Sequence, residues 1–220
     1  MTMYLSRLIL NPRSRAVQRE LADLYQLHRT LMHAFPDGLA PGEERILFRV
    51  DESREGDVPI CLVQSWLEPD WAFLEARRDY LLPLDNLWWE DRRNPAVKPF
   101  NPVFRAGQQL AFRLRANPTV KRQGKRHALF KEELQRRWME RKAADGGFRL
   151  LSLTVIPEGN RHGFQRSKPE GKSRRLTLYA VRFEGILVVQ DPVRFTETIR
   201  RGIGPGKGLG FGLLSVAPSR

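Results

Sequence analysis

Six glycines occupy alternate positions near the C-terminus, Gly202, Gly204, Gly206, Gly208, Gly210 and Gly212, within Arg200-Arg-Gly-Ile-Gly-Pro-Gly-Lys-Gly-Leu-Gly-Phe-Gly-Leu-Leu-Ser-Val216. In an extended chain successive side chains point to opposite faces, so this spacing leaves one face as bare backbone. Ordering so many glycines is entropically costly, and a merely flexible tail does not lead into an apolar strand such as Phe211–Val216. The run is therefore expected to be an ordered loop whose amides at Gly204, Gly206, Gly208 and Gly210 meet phosphate, with Arg200, Arg201 and Lys207 adding positive charge. A plain turn, or a crevice for chain packing, is the structural alternative.

The formal charge of +13 is unevenly spread. Residues 1–91 carry 10 Arg, no Lys and 16 acids, a net of −6, whereas residues 92–220 carry 28 basic and 9 acidic residues, a net of +19. Residues 92–131 hold 11 basic side chains and no acid: Arg92, Arg93, Lys98, Arg105, Arg113, Arg115, Lys121, Arg122, Lys125, Arg126 and Lys131. A surface evolved only for solubility mixes both signs, so nucleic acid is the leading partner. An anionic membrane fits less well, because no basic amphipathic helix with a broad aromatic face is present. No stretch is long enough to span a bilayer and the N-terminus has no secretory leader pattern, so a cytoplasmic protein is expected.

Met3–Leu10 reads as a strand, residues 14–35 as one helical region, Arg45–Val50 and Val58–Leu67 as strands, and Pro69–Tyr80 as a short helix. A closing strand in the Trp-rich segment Leu81–Trp89 cannot be placed. The second half reads as a strand at Gln109–Ala116, a helix at Lys131–Ala144, strands at Phe148–Ile156 and Leu176–Gln190, a helix at Pro192–Arg201, and a last strand at Gly210–Val216. The order β-α-β-β-α-β points to an α+β fold of tandem ferredoxin-like (RRM-like) domains. The expected boundaries are 1–94 for the first domain, 95–107 for a linker and 108–220 for the second. The single cysteine, Cys61, excludes a disulfide framework and a cysteine-cluster zinc site.

Between the middle strands of the second half lies a basic segment with Arg161, Arg166, Lys168, Lys172, Arg174 and Arg175 against Glu158 and Glu170. As a hairpin tip it would reach phosphates across a groove, with Phe164 available to stack; a mobile solvated loop is the alternative. Together with Arg113, Arg115, Lys121, Arg122, Lys125 and Arg126, these residues form the expected RNA-binding set. The pair Trp88-Trp89 would either stack bases or pack at the domain junction.

The histidines are His28, His33, His127 and His162, and no HExxH, GxSxG or GxxxxGK[ST] pattern occurs, so no metal centre and no cofactor are expected. Tyr25 and His28 are three residues apart, hence neighbours on one helical face beside the apolar stripe Leu24, Leu27, Leu31 and Phe35. A packing role for His28 competes with a catalytic one. The catalytic reading is metal-free RNA cleavage, in which the 2′-hydroxyl attacks the adjacent phosphate. Imidazole can act there as base or acid, tyrosine can orient the nucleophile or donate a proton, and Arg29 can stabilise the phosphorane charge. His33 points to another side of the helix and is expected on the surface.

The opening strand Tyr4-Leu-Ser-Arg-Leu-Ile-Leu-Asn-Pro12, the Tyr-x-x-His-Arg-Thr-Leu block from Tyr25 to Leu31, the Phe-Arg-Leu-Arg-Ala-Asn-Pro segment within Gln109–Pro118, and the glycine ending together resemble the CasE (Cse-type) CRISPR repeat endoribonucleases of type I-E Cascade. The resemblance implies tandem ferredoxin-like domains that bind the CRISPR repeat hairpin of precursor crRNA and cut at the 3′ base of its stem without a metal. It further implies 2′,3′-cyclic or 3′-phosphate and 5′-hydroxyl ends, and a protein that stays on the mature crRNA with other Cascade subunits. His28 and Tyr25 fall on the family's catalytic positions, and the Arg161–Arg175 segment corresponds to its basic hairpin. Where some members carry a third catalytic Lys or Ser, this chain has His33 and Pro36. The rival from another class is a non-catalytic RNA-hairpin-binding module. A DNA-binding architectural protein lacks a helix-turn-helix and gives Tyr25 and His28 no task.

Overall fold

The computed structural model describes residues 2–38, 46–53, 56–83, 93–166 and 173–219. Trp88, Trp89, Lys168 and Lys172 lie outside the described residues, as do the side chains of Phe164, Arg166 and Arg174. The chain forms two compact units. One comprises Met1–Asn101, His162–Leu176 and Gly208–Gly210; the other comprises Pro102–Arg161, Thr177–Lys207 and Phe211–Arg220. This departs from the contiguous division expected from sequence, since two later segments fold with the first unit.

The first unit runs β1 (Met3–Ile9), α1 (Arg15–Ala22), α2 (Leu24–Met32), β2 (Leu47–Ser53), β3 (Gly56–Ser65), α3 (Ala72–Glu75) and β4 (Ala96–Phe100). Its antiparallel sheet has the order β2-β3-β1-β4, the ferredoxin-like arrangement. The closing strand β4 sits in the segment expected as a linker. Asn94 leads the chain into it: its side-chain amide donates to the carbonyls of Ile9 (2.8 Å) and Leu82 (3.0 Å), and its oxygen accepts from the Ile9 amide at 2.9 Å. β-Strand period gives no hint of this docking, because it is made by one side chain on backbone.

The single helical region expected over 14–35 is two helices. Asp23 divides them: its N–H caps α1 on the Arg19 carbonyl at 3.1 Å, and its carboxylate accepts from the Tyr25 amide at 3.2 Å to start α2. The break turns Leu27 and Leu31 into a core with Leu8, Phe48, Cys61, Val63, Trp71 and Tyr80. The helix expected over 69–80 shortens to one turn because Trp71, Leu74 and Tyr80 are all drawn into that core, with the Trp71 indole donating to Ser6 Oγ at 3.0 Å. Burial pushes the Cys61 thiol up, which makes it an inert core side chain.

A buried carboxylate locks α2 in place. Glu20 of α1 accepts from Thr30 Oγ1 on α2 (2.9 Å) and from the Tyr80 hydroxyl (2.6 Å), with Arg77 at 4.0 Å. Burial, and then the bond to Glu20, raise the Tyr80 pKa above the ordinary tyrosine value.

The second unit runs β5 (Gln109–Ala116), β6 (Thr119–Arg122), β7 (Lys125–Ala128), α4 (Glu132–Asp145), β8 (Phe148–Leu150), β9 (Thr154–Arg166), β10 (Ser173–Val189), α5 (Pro192–Arg201) and β11 (Leu214–Pro218), with the tips of β9 and β10 counted in the first unit. Its sheet order, β11-β5-β10-β8, repeats the ferredoxin-like arrangement, with β9 paired to β10. Along β5 the alternate residues Leu110, Phe112, Leu114 and Ala116 are buried, as are Trp138 and Met139 of α4 and Phe195 and Ile199 of α5. Helix α5 begins where expected because Asp191 accepts from the amides of Val193 and Arg194, both at 3.0 Å, with Pro192 at its first position. The hairpin β6–β7, unforeseen in the sequence reading, turns at Gln123-Gly124 with φ of 47° and 77°. Adjacent positive φ values are what a two-residue hairpin requires, and Gln-Gly between basic residues was its signal.

Substituting Glu20 by alanine leaves the Thr30 and Tyr80 hydroxyls without their acceptor. The expected loss is about 1–3 kcal/mol for each stranded group, read from urea unfolding. An unchanged midpoint would show that the carboxylate does not hold α2.

Candidate active site

Helix α2 places Tyr25 and His28 one turn apart, both partly exposed, while Leu27 and Leu31 anchor the helix in the core. The imidazole of His28 lies near-parallel to the buried ring of Phe48 on β2, with an interplanar angle of 12° and centroids 6.0 Å apart. The glycine run then crosses both rings. A methyl group at position 208 would stand 3.6 Å from His28 Nε2 and Cδ2, and one at position 210 would stand 3.2 Å from Phe48 Cε2. Gly163, at the root of the β9–β10 tip, approaches the same place: a Cβ there would lie 2.6 Å from Leu209 Cδ2 and 3.4 Å from Tyr25 Cβ. Four parts of the sequence thus meet around one histidine.

His28 Nδ1 is buried and makes no hydrogen bond among the described residues. Buried ring nitrogens are ordinarily paired, so an unpaired one on a helix beside a tyrosine makes His28 a candidate site residue. Burial also lowers the His28 pKa below the ordinary 6.5, because the charged form loses its hydration. The imidazole is consequently neutral near pH 7 and able to accept a proton.

The glycine run is not extended. Gly202, Gly204, Gly206, Gly210 and Gly212 have φ between 69° and 91°, and Lys207–Leu209 form a single 3-10 turn. The period of two therefore arises from alternating left-handed positions and not from a bare strand face. Gly210, expected to face phosphate, is buried against Phe48, and the strand expected from Gly210 begins only at Leu214. Gly204, Gly206 and Gly208 remain partly exposed, as does Lys207.

The expected RNA-binding residues separate into groups. Arg29, Lys121, Arg122, Lys125, Arg126 and Arg161 are exposed. Arg175 is also exposed and reaches the His162 ring at 3.1 Å. Arg113 and Arg115 are instead committed to the outer face of the second sheet. Arg113 pairs with Glu184 at 2.6 Å, Arg115 pairs with Glu158, and Arg182 links both acids at 3.4 and 3.5 Å. Strand alternation put both arginines on a face but could not show the carboxylates opposite them. Arg200 and Arg201 both meet Glu197 one turn earlier on α5. Among the residues that sequence reasoning missed, Phe48 was legible as an inward position of β2, whereas the contact at Gly163 had no local signal.

Among the described residues, no three His, Cys, Asp or Glu side chains gather in a way that could hold a metal ion, and no helix is long and apolar enough to cross a membrane.

Comparison with known proteins adds independent findings. The family described as "CRISPR associated protein" matches residues 3–218. The CRISPR-associated endoribonuclease Cse3 of Thermus thermophilus is 41% identical over 98% of this chain and 100% of its own length. The CRISPR system Cascade subunit CasE of Escherichia coli is 32% identical over 98% of this chain and all of its own. Among solved structures, Thermus thermophilus Cse3 bound to an RNA representing a pre-cleavage complex superposes with a TM-score of 0.80 at 40% identity, covering 99% of this chain and 100% of that one.

The free protein is expected to show a His28 imidazole that titrates below pH 6.5 by NMR. Protonation is resisted by burial, so the ring stays neutral as the pH falls through the ordinary range. A midpoint at or above 6.5 would mean a solvated, ordinary histidine.

Proposed function

The chain belongs to the CRISPR-associated protein family, and we propose that it is an endoribonuclease that binds the hairpin of CRISPR repeat RNA and cleaves at the 3′ base of the stem. The observation that carries this reading is the buried, unpaired Nδ1 of His28 beside Tyr25, with Gly208 against the ring. The kinship with an endoribonuclease captured on RNA supports it.

The chemistry needs only the RNA and this chain's own groups. Neutral His28 accepts the proton of the 2′-hydroxyl, and that oxygen attacks the adjacent phosphorus. The P–O5′ bond breaks, and the phenol of Tyr25 donates a proton to the departing 5′-oxygen. One fragment ends in a 2′,3′-cyclic phosphate and the other in a 5′-hydroxyl. Arg29, exposed on the turn after His28, stands to neutralise charge on the phosphorane, together with the amide of the partly exposed Gly208. The exposed cations Arg161 and Arg175 of the long hairpin contact phosphates of the stem, whose deep narrow groove favours reading by shape over reading by a helix. The protein remains on the product hairpin as a Cascade subunit in the cytoplasm.

Single-turnover cleavage of the repeat hairpin is expected to proceed in EDTA and to stop when the 2′-oxygen at the cut is removed. Replacing His28 with alanine is expected to slow it by about 10²- to 10⁴-fold with RNA affinity retained. Tight binding with no cleavage by the parent would instead make the chain an RNA clamp.

A further inference from the structure

The outer face of the second unit's sheet presents Arg113 and Arg115 on β5 and Arg182 and Glu184 on β10, while Phe112 and Phe183 of these strands are buried in the core. A ferredoxin-like domain that grips single-stranded RNA in the RRM manner carries stacking aromatics there. In this unit the exposed aromatic is elsewhere. Phe130, between β7 and α4, is 66% exposed, and its ring meets Tyr179 of β10 edge to face with centroids 4.8 Å apart.

Phe130 is held in that exposed position. Gln135 of α4 is wholly buried, and its side-chain amide donates to the carbonyls of Leu129 (2.8 Å) and Phe130 (3.2 Å). The Leu129 amide donates to the Pro118 carbonyl at 2.9 Å, closing the base of the β6–β7 hairpin. The backbone beneath the ring is thus fixed from both sides, at the cost of burying a polar side chain to do so. A ring this exposed on so constrained a backbone presents a fixed apolar face to a partner.

The setting is cationic. Lys121, Arg122, Lys125 and Arg126 stand exposed on the hairpin, and Lys131 follows Phe130 directly. The nearest acids in sequence are Glu132, which is paired with Arg136 at 2.7 Å, and Glu133. A protein partner's apolar knob would meet a rim of lysines, which interface centres avoid. A paired stem would offer phosphates but no free base face, whereas an unpaired nucleotide offers both.

We propose that Phe130 and Tyr179 form a stacking platform for a base of the single-stranded RNA that flanks the repeat stem, with the cations of the β6–β7 hairpin binding its phosphates; this rests on the RNA-hairpin reading above. The site makes the unit recognise the junction between stem and flank, and so fixes where along a long transcript the stem is engaged.

The test compares the affinities of three RNAs at one salt concentration: the stem-loop alone, the stem-loop with a 5′ single-stranded flank, and the stem-loop with a 3′ flank made uncleavable by a 2′-deoxy substitution. Each is measured with the parent, Phe130→Ala and Phe130→Tyr. The parent is expected to bind one flanked RNA more tightly than the bare stem-loop, and the responding arm identifies the flank. Phe130→Ala is expected to lose about 5- to 100-fold on that RNA with bare stem-loop affinity unchanged, and Phe130→Tyr to retain the gain. No gain from either flank, or equal losses on bare and flanked RNAs, would overturn the platform. Unchanged RNA affinity together with impaired joining of other Cascade subunits would also overturn it and assign the face to a protein. Failure of the parent to bind the bare stem-loop would overturn the proposed function itself.

Discussion

The contact between a glycine backbone and two aromatic rings governs the site. Gly208 lies against the His28 imidazole and Gly210 against Phe48, so the backbone between them spans two rings whose centroids are 6.0 Å apart. A methyl group at 208 would make ordinary contact with the imidazole, whereas one at 210 would crowd the Phe48 ring. Gly210 has the further constraint of a φ of 77°, which places any other residue under strain of about 1–2 kcal/mol. Burial lowers the imidazole's pKa, and Gly208 and Phe48 are among its neighbours.

The remaining architecture supplies that histidine with a rigid mount. Asp23 breaks the helical region so that α2 starts beside Tyr25, and Glu20 ties α2 to α1 and to Tyr80. Charge is handled differently in the second unit. Its sheet face spends Arg113, Arg115 and Arg182 on Glu158 and Glu184, whereas the cations of the β6–β7 hairpin are left on the surface. A basic composition thus overstates how many arginines are available to a polyanion.

Much of this was legible in the sequence because it is local. The alternation in Gln109–Ala116, the Asp191-Pro192 start of α5 and the 3.6-residue spacing of Leu24, Leu27 and Leu31 each report burial through neighbouring residues. Tyr25 and His28 could be paired for the same reason. What stayed hidden depends on distant parts of the chain. The docking of β4 relies on Asn94 meeting Ile9, and the ion ladder needs strands β5, β9 and β10 side by side. The conformation of the glycine run also stayed hidden, since a period of two fits alternating left-handed glycines as well as a strand face.

The division of labour between His28 and Tyr25 is the account's central claim, and a repeat hairpin with sulfur in place of the bridging 5′-oxygen at the cut tests it most directly. A thiolate leaves without a proton, so a variant that lacks only the general acid regains its rate. The account predicts that Tyr25→Phe is slow on the oxygen substrate and restored on the sulfur one, while His28→Ala stays slow on both. Restoration of His28→Ala by sulfur would contradict it, making the imidazole the acid and requiring another group to take the 2′ proton.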